Sequence, residues 1–435
     1  MKTLIIVIII LLCVLSTPLS LKRLIDQKKG RSSKGWPASP PATDTGAAGG
    51  LSHTAGSDAA ITTSTAPAAG TDLQDYLSRS VERIVKDALR ATREDPAETK
   101  FLLSFAAAAS RAAGRRRQLE SSGEHIPPFL IASITDACNL NCAGCYAHAL
   151  KDFSQAPQDA GKTRVPMTTG EWDRIFEEAE ELGISFVFLV GGEPLLNREV
   201  IETAGRHKDL LFPIITNGLL INDAYLELFD RCRNLLPVIS IEGEQITTDE
   251  RRGSGVYQKI EEQMGRLSNL NIPFGASVTI TTENLREATG QGFAEKLADR
   301  GCRMLLYIEY VATSAQDAAL EPGEAERALM DLRLDALRQS REDMVILAFP
   351  GDEKAFGGCL AAGRGFFHIS ACGNAEPCPF APFSDRNLKE NTLCEALQSD
   401  LFAALDARDM LQEDHSGGCA LSHKGAEIQA LMKAR

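Results

Sequence analysis

The sequence predicts an α/β fold: a partial (β/α)6 barrel of parallel strands, with an N-terminal helical segment and a small C-terminal cysteine-rich α+β extension. Short runs rich in β-branched residues alternate with amphipathic helical patterns from residue 129 onward, which is typical of a parallel sheet covered by helices. Glycine-rich or polar turns follow several of these runs, where such folds place their functional residues. The strand candidates are 129–135, 185–190, 212–216, 236–241, 273–280 and 303–310.

Length and charge limit the broad class of protein. The chain of 435 residues is long enough for more than one domain. Its 59 acidic and 46 basic residues give a net charge of −13, which argues against a nucleic-acid partner. We expect, in order, an anchor or signal with a basic flank, a disordered linker, a helical module, the barrel and the extension: 1–31, 32–70, 71–127, 128–312 and 313–435.

The N-terminus begins with an apolar run. Residues 4–15 are all apolar, a length that fits either a signal-peptide core or a short membrane span. Positive charges follow the run, and no Ala-x-Ala cleavage site is present. We therefore expect a membrane anchor that leaves the catalytic body in the cytoplasm, with a cleaved signal as the alternative. Residues 32–70 contain few large apolar side chains and are expected to form a flexible linker.

Helix boundaries are marked by local signals. Residues 72–121 show helical periodicity in two pieces, the second opened by Asp95 and Pro96. In the barrel, the pattern over 169–183 predicts a helix that begins with a capping box between Thr168 and Glu171.

Three cysteines follow the first strand candidate within eight residues, at Cys138, Cys142 and Cys145. Thiolates are strong ligands for iron–sulfur clusters and zinc. A cluster of four metal ions needs four ligands, and this loop supplies three. One metal ion would therefore keep an open coordination position, which is typical of a reactive site. Gly144 allows a tight turn in this loop. The alternative is a zinc site completed by His148.

Four further motifs follow later strand candidates: Gly191-Gly192-Glu193-Pro194, Thr216-Asn217-Gly218, Ser240-Ile241-Glu242-Gly243 and Arg251-Arg252-Gly253. Together with the cysteine loop, this series resembles the radical S-adenosylmethionine (radical SAM) superfamily over about residues 128–312. The resemblance implies that Cys138, Cys142 and Cys145 hold a 4Fe-4S cluster whose fourth iron binds S-adenosylmethionine. It also implies reductive cleavage of that cofactor to a 5′-deoxyadenosyl radical, which takes a hydrogen atom from a substrate.

The resemblance also assigns cofactor contacts. Tyr146 is expected near the adenine, the Gly-Gly-Glu-Pro turn at the methionine ammonium, and Ser240 with Arg252 at the carboxylate. Glu242 stands where the family commonly has Asp at a ribose contact. The implied cofactor-binding residues are Tyr146, Gly191, Gly192, Glu193, Pro194, Asn217, Ser240, Glu242 and Arg252.

A second cysteine set lies in the extension. Its opening resembles the SPASM domain, an auxiliary-cluster extension of radical SAM enzymes, and its few downstream cysteines fit the shortened Twitch version better. We expect Cys359, Cys378 and Cys419 to hold an auxiliary iron–sulfur cluster, with Cys372 as a candidate fourth ligand and zinc as the alternative metal. The remaining thiols are expected in the core or the anchor: Cys13, Cys232, Cys302 and Cys394.

Acids at the barrel mouth are candidates for proton transfer, and the best placed are Glu309 and Asp352, although each also fits a structural role. The extension favours a peptide or protein substrate, with a small molecule or lipid as the alternative. The expected electron donor is a flavodoxin or ferredoxin. A non-catalytic iron–sulfur carrier is the alternative from a different class.

Overall fold

The computed structural model describes residues 73, 76, 96–153, 165–411 and 418–433. The predicted anchor at residues 4–15 and the linker at 32–70 lie outside these ranges. None of the helices within the described ranges combines the length and the hydrophobicity that crossing a bilayer requires.

The core of the fold is one sheet, in which nine strands are described. The strands are β1 (Phe129–Ser133), β2 (Phe186–Val190), β3 (Phe212–Thr216), β4 (Leu235–Ser240), β5 (Gly275–Ile280), β6 (Met304–Glu309), β7 (Val345–Phe349), β8 (His368–Ile369) and β9 (Ala375–Glu376). Their order is β7-β6-β5-β4-β3-β2-β1-β8-β9. All neighbours from β7 to β8 run parallel, and β9 runs antiparallel to β8.

The predicted partial barrel is confirmed. Each of the six strand candidates overlaps a strand, and they lie side by side in sequence order. Every residue of β4 is buried, as expected of a parallel strand covered on both faces. Strand β7 was not predicted, because its five residues are a short apolar run without alternation that ends directly before Pro350.

Helices follow the strands and cover the sheet. They are α1 (Pro96–Ser121), α2 (Tyr146–Phe153), α3 (Thr169–Leu182), α4 (Arg198–Ala204), α5 (Asp223–Arg231), α6 (Gln245–Arg252), α7 (Val256–Asn269), α8 (Leu285–Ala288), α9 (Gln291–Asp299), α10 (Glu324–Ser340), α11 (Leu393–Leu397), α12 (Asp400–Ala407) and α13 (Gly425–Lys433). Single 3₁₀ turns lie at Pro194–Leu196, Ala318–Leu320, Gly351–Phe356 and Ser422–Lys424.

Helix α3 illustrates how sequence signals fix the helices. The predicted capping box is present: the Glu171 N–H donates to Thr168 Oγ1 at 3.2 Å, and the Thr168 N–H donates to the Glu171 carboxylate at 2.7 Å. The helix ends at Gly183, which adopts a left-handed φ of 83°. Arg116 of α1 is buried and donates to the carbonyl of Gly183 and to Ser185 Oγ, so α1 packs on the end of this helix.

The predicted helical module and extension both join the sheet. Helix α1 begins at Pro96, as predicted. Tyr76 is buried at the β7 edge, where its hydroxyl donates to Met344 O at 2.9 Å and accepts from Ile346 N–H at 3.2 Å. At the other end, β8 extends the sheet beyond β1, with Ile131 opposite His368. Three strands of the predicted extension therefore belong to the sheet itself.

Candidate active site

The three-cysteine loop leaves the carboxyl end of β1 and leads into α2. Cys138, Cys142 and Cys145 are partly exposed free thiols. The loop is held at Ala143, whose N–H donates to Arg251 O at 2.9 Å. Gly144 has a left-handed φ of 62°, and a Cβ there would lie 2.4 Å from the Tyr310 hydroxyl, so only glycine fits beneath that ring.

The Gly-Gly-Glu-Pro turn packs directly on this loop. The N–H groups of Gly192 and Glu193 donate to Thr135 O and Ala137 O, each at 2.8 Å. A Cβ at Gly191 would lie 2.2 Å from Thr135 O, and one at Gly192 would lie 2.1 Å from Ala137 O. The two glycines therefore allow the end of β2 to touch the loop after β1, and the N–H groups of Gly192 and Glu193 make this contact.

Glu193 is 1% exposed and is used internally. Its carboxylate accepts from Thr216 Oγ1 at 2.7 Å, Asn217 N–H at 2.8 Å and Leu195 N–H at 3.0 Å. Burial raises its pKa, and these hydrogen bonds oppose the rise. These three donors leave one lone pair of the Glu193 carboxylate unused. The predicted contact with a ligand ammonium would use that lone pair or the carbonyl groups of the turn.

The end of β3 also reaches the cysteine loop. Asn217 Nδ2 donates to Asn139 Oδ1 at 2.8 Å, and its own Oδ1 accepts from Leu219 N–H at 3.0 Å. Three successive strands, β1 to β3, are thus connected at their carboxyl ends through hydrogen bonds to one loop.

The predicted carboxylate and ribose contacts are engaged with each other. Glu242 is fully buried and its Oε1 accepts from Arg251 Nη1 at 2.5 Å and from Arg252 Nε at 2.9 Å, while Oε2 accepts from Thr279 N–H at 3.1 Å. Burial acts to raise the pKa of Glu242, but the two guanidinium groups hold it below its usual value. The carboxylate predicted at a ribose contact is thus held by two arginines and by one strand N–H.

The predicted carboxylate pair, Arg252 and Ser240, also has internal partners. The Arg252 guanidinium is paired with Glu242, and Ser240 Oγ lies 3.0 Å from Ser277 Oγ on the adjacent strand. Burial raises the pKa of Cys142, and the charge of Arg252 opposes this rise, so the guanidinium lies close to the cysteine loop. A ligand carboxylate would meet an arginine that is already neutralised by an internal acid.

A cleft opens between the loop, the Gly-Gly turn and the β8–β9 hairpin. Three polar residues of the cleft, Ser133, His368 and Glu376, belong to no motif in the sequence. Ser133 Oγ lies 2.8 Å from His368 Nε2, and His368 Nδ1 lies 2.7 Å from Glu376 Oε2. The available signal was the histidine within the apolar strand-like run 366–370. Side chains lining the cleft include Ser133, Asp136, Tyr146, His368, Cys372 and Glu376, beside Gly191 and Gly192.

Comparison with known proteins decides the class of this site. Residues 132–289 match the family model described as the Radical SAM superfamily. The chain contains a radical SAM domain. The cofactors of this domain are a 4Fe-4S cluster and S-adenosylmethionine, and the chain is an enzyme of this class.

Relatives and solved structures extend the similarity beyond the matched segment. The chain is 26% identical over 68% of its length to AdoMet-dependent heme synthase from Methanosarcina barkeri, covering 88% of that protein. It is 22% identical over 58% of its length to PqqA peptide cyclase from Granulibacter bethesdensis, covering 68% of that protein. The structure of Streptococcus suis SuiB bound to precursor peptide SuiA shares the fold with a TM-score of 0.52, at 16% identity, covering 68% of this chain and 70% of that one.

The residues around the radical SAM loop fit a cluster by their chemistry. The loop supplies three thiols that are close enough to affect one another's ionisation, with two arginines nearby. One turn along α2, His148 Nδ1 is buried without a hydrogen-bond partner among the described residues. Within those ranges, no three His, Cys, Asp or Glu side chains approach closely enough to hold a single metal ion.

Tyr146 connects the radical SAM loop to the second cysteine set. It is the first residue of α2, and its ring lies 5.0 Å from that of Phe380. Burial raises the pKa of its hydroxyl, and the neighbouring Cys145 and Cys378 add to the rise. The aromatic side chain predicted near the adenine therefore lines the cleft between the two sets of thiols.

The second set brings together Cys359, Cys378 and Cys419. The first two are buried, and burial raises the pKa of all three thiols. Cys419 adds to the rise at Cys359 and at Cys378, so the three lie near one another although they are far apart in sequence. Cys372 lines the cleft instead, and its carbonyl accepts from Asn387 Nδ2 at 3.1 Å.

The other thiols divide between the core and the surface. Cys232 and Cys302 are buried, as predicted. Cys394 lies in α11 and is only partly buried, which corrects the expectation of a core thiol. Cys13 lies outside the described residues.

The two acids predicted for proton transfer have internal partners. Glu309 is 3% exposed, and its Oε2 accepts from Arg327 Nε and from Gly418 N–H, each at 2.9 Å. Asp352 accepts two hydrogen bonds from Arg338 Nη2, at 2.8 and 2.7 Å. In the structure, Glu309 therefore fixes the backbone beside Cys419, and Asp352 anchors α10 after β7.

Proposed function

We propose that this radical SAM enzyme modifies a peptide or protein substrate held in the cleft between the cysteine loop and the β8–β9 hairpin. When bound, the cluster and S-adenosylmethionine supply a 5′-deoxyadenosyl radical that removes a hydrogen atom from the substrate. The observation that carries this proposal is the direct hydrogen bonding of the β2 and β3 ends to the loop that bears Cys138, Cys142 and Cys145.

The chain's own residues would divide the work at this site. The three thiols would hold the cluster, and Gly191 and Gly192 would let the cofactor approach the backbone. Arg252, together with Arg251, places positive charge beside the thiols while Glu242 limits the net charge. Such a fixed, buried arrangement would orient the cofactor and exclude water from the cleft.

A peptide substrate is supported by two comparisons. One relative is named for a peptide that it cyclises, and one solved structure of the same fold holds a precursor peptide. The cleft is lined by both polar and apolar groups, as extended peptides require of a groove. An iron porphyrin is the second candidate, because two relatives are named AdoMet-dependent heme synthase and Fe-coproporphyrin III synthase.

The first experiment is anaerobic reconstitution of the full chain with iron, sulfide, reductant and S-adenosylmethionine. We expect 5′-deoxyadenosine, detected by chromatography and mass. If the iron-loaded protein forms no 5′-deoxyadenosine, the proposed enzymatic activity is wrong. The matched control is Cys394→Ala, which removes a thiol that contacts neither predicted cysteine set and should leave the product yield unchanged.

The second experiment separates the substrate classes. Synthetic peptides encoded by short reading frames near the gene, and iron coproporphyrin III, would be added to the reconstituted enzyme. A peptide substrate is expected to change mass in proportion to the 5′-deoxyadenosine formed. Conversion of the porphyrin with no change in any peptide would favour the second candidate.

We also propose an auxiliary iron–sulfur cluster at Cys359, Cys378 and Cys419. The support for this cluster is that the three thiols lie near one another although their segments are far apart in sequence, with the Cys359 and Cys378 segments joined by a hydrogen bond from Ala362 N–H to Pro377 O. Iron bound to a Cys138→Ala/Cys142→Ala/Cys145→Ala variant would test this cluster. Zinc and no iron at this site in protein isolated without added metal would favour the alternative metal.

Two further proposals concern the surroundings of the enzyme. Residues 4–15 would anchor it in a membrane with the catalytic body on the cytoplasmic side, and reporter fusions after residue 40 would show the side on which it lies. A flavodoxin or ferredoxin would supply the electron. Replacement of the chemical reductant by either protein with its reductase should sustain 5′-deoxyadenosine formation.

A further inference from the structure

One acidic side chain lies beside the second cysteine set, although no sequence motif selected it. Glu353 belongs to the 3₁₀ turn Gly351–Phe356 and is 3% exposed. Its Oε1 accepts from Leu360 N–H at 2.9 Å, and its carbonyl accepts from Gly358 N–H at 3.2 Å. These two bonds fix the carboxyl group next to Cys359.

The same carboxyl group is close to the other two thiols. The Cys359 turn is joined to the Cys378 segment by a hydrogen bond from Ala362 N–H to Pro377 O at 3.0 Å. After burial, the charge of Glu353 is among the causes that raise the pKa of Cys359, Cys378 and Cys419. The hydrogen bond to Leu360 N–H places this carboxyl group beside Cys359, and its charge also acts on the other two thiols.

The turn that carries Glu353 also contacts the Cys419 segment. A Cβ placed on Gly351 would lie 3.6 Å from Glu309 Oε1, and the other oxygen of Glu309 binds Gly418 N–H. The carboxyl group of Glu353 is therefore fixed by hydrogen bonds on the Cys359 side, and its turn lies close to Glu309, which binds the backbone next to Cys419.

A four-iron cluster needs four ligands, and this site offers three thiols. Cys372, the thiol that the sequence offered as the fourth, lines the cleft. Carboxylates are established ligands of protein-bound iron.

We propose that the carboxylate of Glu353 is the fourth ligand of the auxiliary cluster held by Cys359, Cys378 and Cys419. This inference rests on the auxiliary cluster proposed above. It gives that cluster a mixed thiolate and carboxylate shell supplied entirely by the chain, which leaves no iron open to substrate. An iron held by this oxygen ligand would differ electronically from the irons held by thiolates, and it would be the most easily lost on oxidation.

The experiment uses the full chain carrying Cys138→Ala, Cys142→Ala and Cys145→Ala, so that bound iron reports on the second set alone. In this background we would compare Glu353 with Glu353→Gln, Glu353→Ala and Glu353→Cys. Glu376→Gln is the matched control, because Glu376 is 4% exposed and pairs with His368 in the cleft. The readouts are iron and sulfide per chain, Mössbauer spectra of ⁵⁷Fe and electron paramagnetic resonance after mild oxidation.

We expect the parent and the Glu376→Gln control to hold about four iron per chain, with one iron distinct in the Mössbauer spectrum. Glu353→Gln and Glu353→Ala should fall to about three, with the resonance of a three-iron cluster. Glu353→Cys should restore the fourth iron and make the four alike. Unchanged iron and spectra in both Glu353→Gln and Glu353→Ala would overturn the ligand assignment alone, whereas an iron-free parent would overturn the auxiliary cluster itself.

Discussion

The two cysteine sets of this chain occupy opposite environments. Cys138, Cys142 and Cys145 are contiguous in one partly exposed loop and have Arg251 and Arg252 as neighbours. The second set is assembled from distant segments, and Glu353 is its charged neighbour. Positive side chains beside an accessible site favour the binding of an anionic ligand. An acidic side chain inside a buried site can instead serve as a ligand of that site. The surroundings of each set, more than its thiols, indicate its function.

The comparison is tested most severely by removing the first set. Replacing Cys138, Cys142 and Cys145 with Ala is expected to abolish 5′-deoxyadenosine formation completely. The substitution removes the three thiols that would hold the radical SAM cluster, and no other described thiol lies in this loop. Product analysis and iron determination on the same sample would check this. Residual product formation at more than a trace would mean that the second set can also cleave the cofactor.

The next largest effect is expected at Glu242. Glu242→Gln leaves the mostly buried Arg251 and Arg252 without their fully buried acid, which should lower the free energy of unfolding by about 3–5 kcal/mol. Chemical denaturation would measure the change. Glu244→Gln is the control, because its pair with Lys296 is about half exposed and should cost less than about 1 kcal/mol.

The same residue gives a pH dependence with a defined sign. The pKa of Glu242 is lowered on folding, so its stabilising effect is complete above its ordinary value near 4.5 and disappears as the pH falls through the lower folded value. The difference in unfolding free energy between wild type and Glu242→Gln should therefore shrink in acid. A difference that stays constant down to pH 2 would contradict the buried ion pair.

A smaller effect is expected where the Gly-Gly turn meets the loop. Gly192→Ala places a Cβ against Ala137 O, which should cost about 1–3 kcal/mol and weaken iron retention at the first set. Iron release to a chelator would measure the retention. Gly170→Ala is the control, since nothing lies within 4 Å of its Cβ position, and should change stability by less than about 1 kcal/mol.

The smallest effect is expected at Cys372. In the background without the first three cysteines, Cys372→Ser should leave the iron content unchanged, because this side chain lines the cleft. Cys378→Ser in the same background should lose the bound iron. Equal losses in the two variants would place Cys372 among the auxiliary ligands after all.

The sequence predicted the architecture better than the detailed contacts. All six strand candidates were confirmed because β-branched runs between amphipathic helices depend on local pattern alone. The contacts of Glu242 could not be predicted, since they depend on one additional methylene reaching two arginines on α6. Glu309 and Asp352 stand at strand ends, as catalytic acids do, and only the fold reveals their partners Arg327 and Arg338.

Residues whose contacts join segments far apart in the sequence could not be predicted either. Glu353 carries no motif, and its place beside Cys359 depends on a 3₁₀ segment after β7 and on its hydrogen bond to Leu360 N–H. The Ser133, His368 and Glu376 chain depends on β8 lying beside β1, a pairing that no local pattern indicates. Strands as short as β8 and β9 give too little periodicity to predict their neighbours.

The pairing of β8 with β1 has a consequence for how the protein is made. On the ribosome, β1 and the cysteine loop emerge long before His368, which stands 235 residues after Ser133. At about 5–20 residues per second, the outer edge of β1 waits roughly 10–50 s for its final neighbour. An uncovered strand edge during that interval invites pairing with other nascent chains. Delivery of iron and sulfide to the nascent loop would therefore compete with aggregation, and slow translation of the C-terminal third should lower the yield of native enzyme.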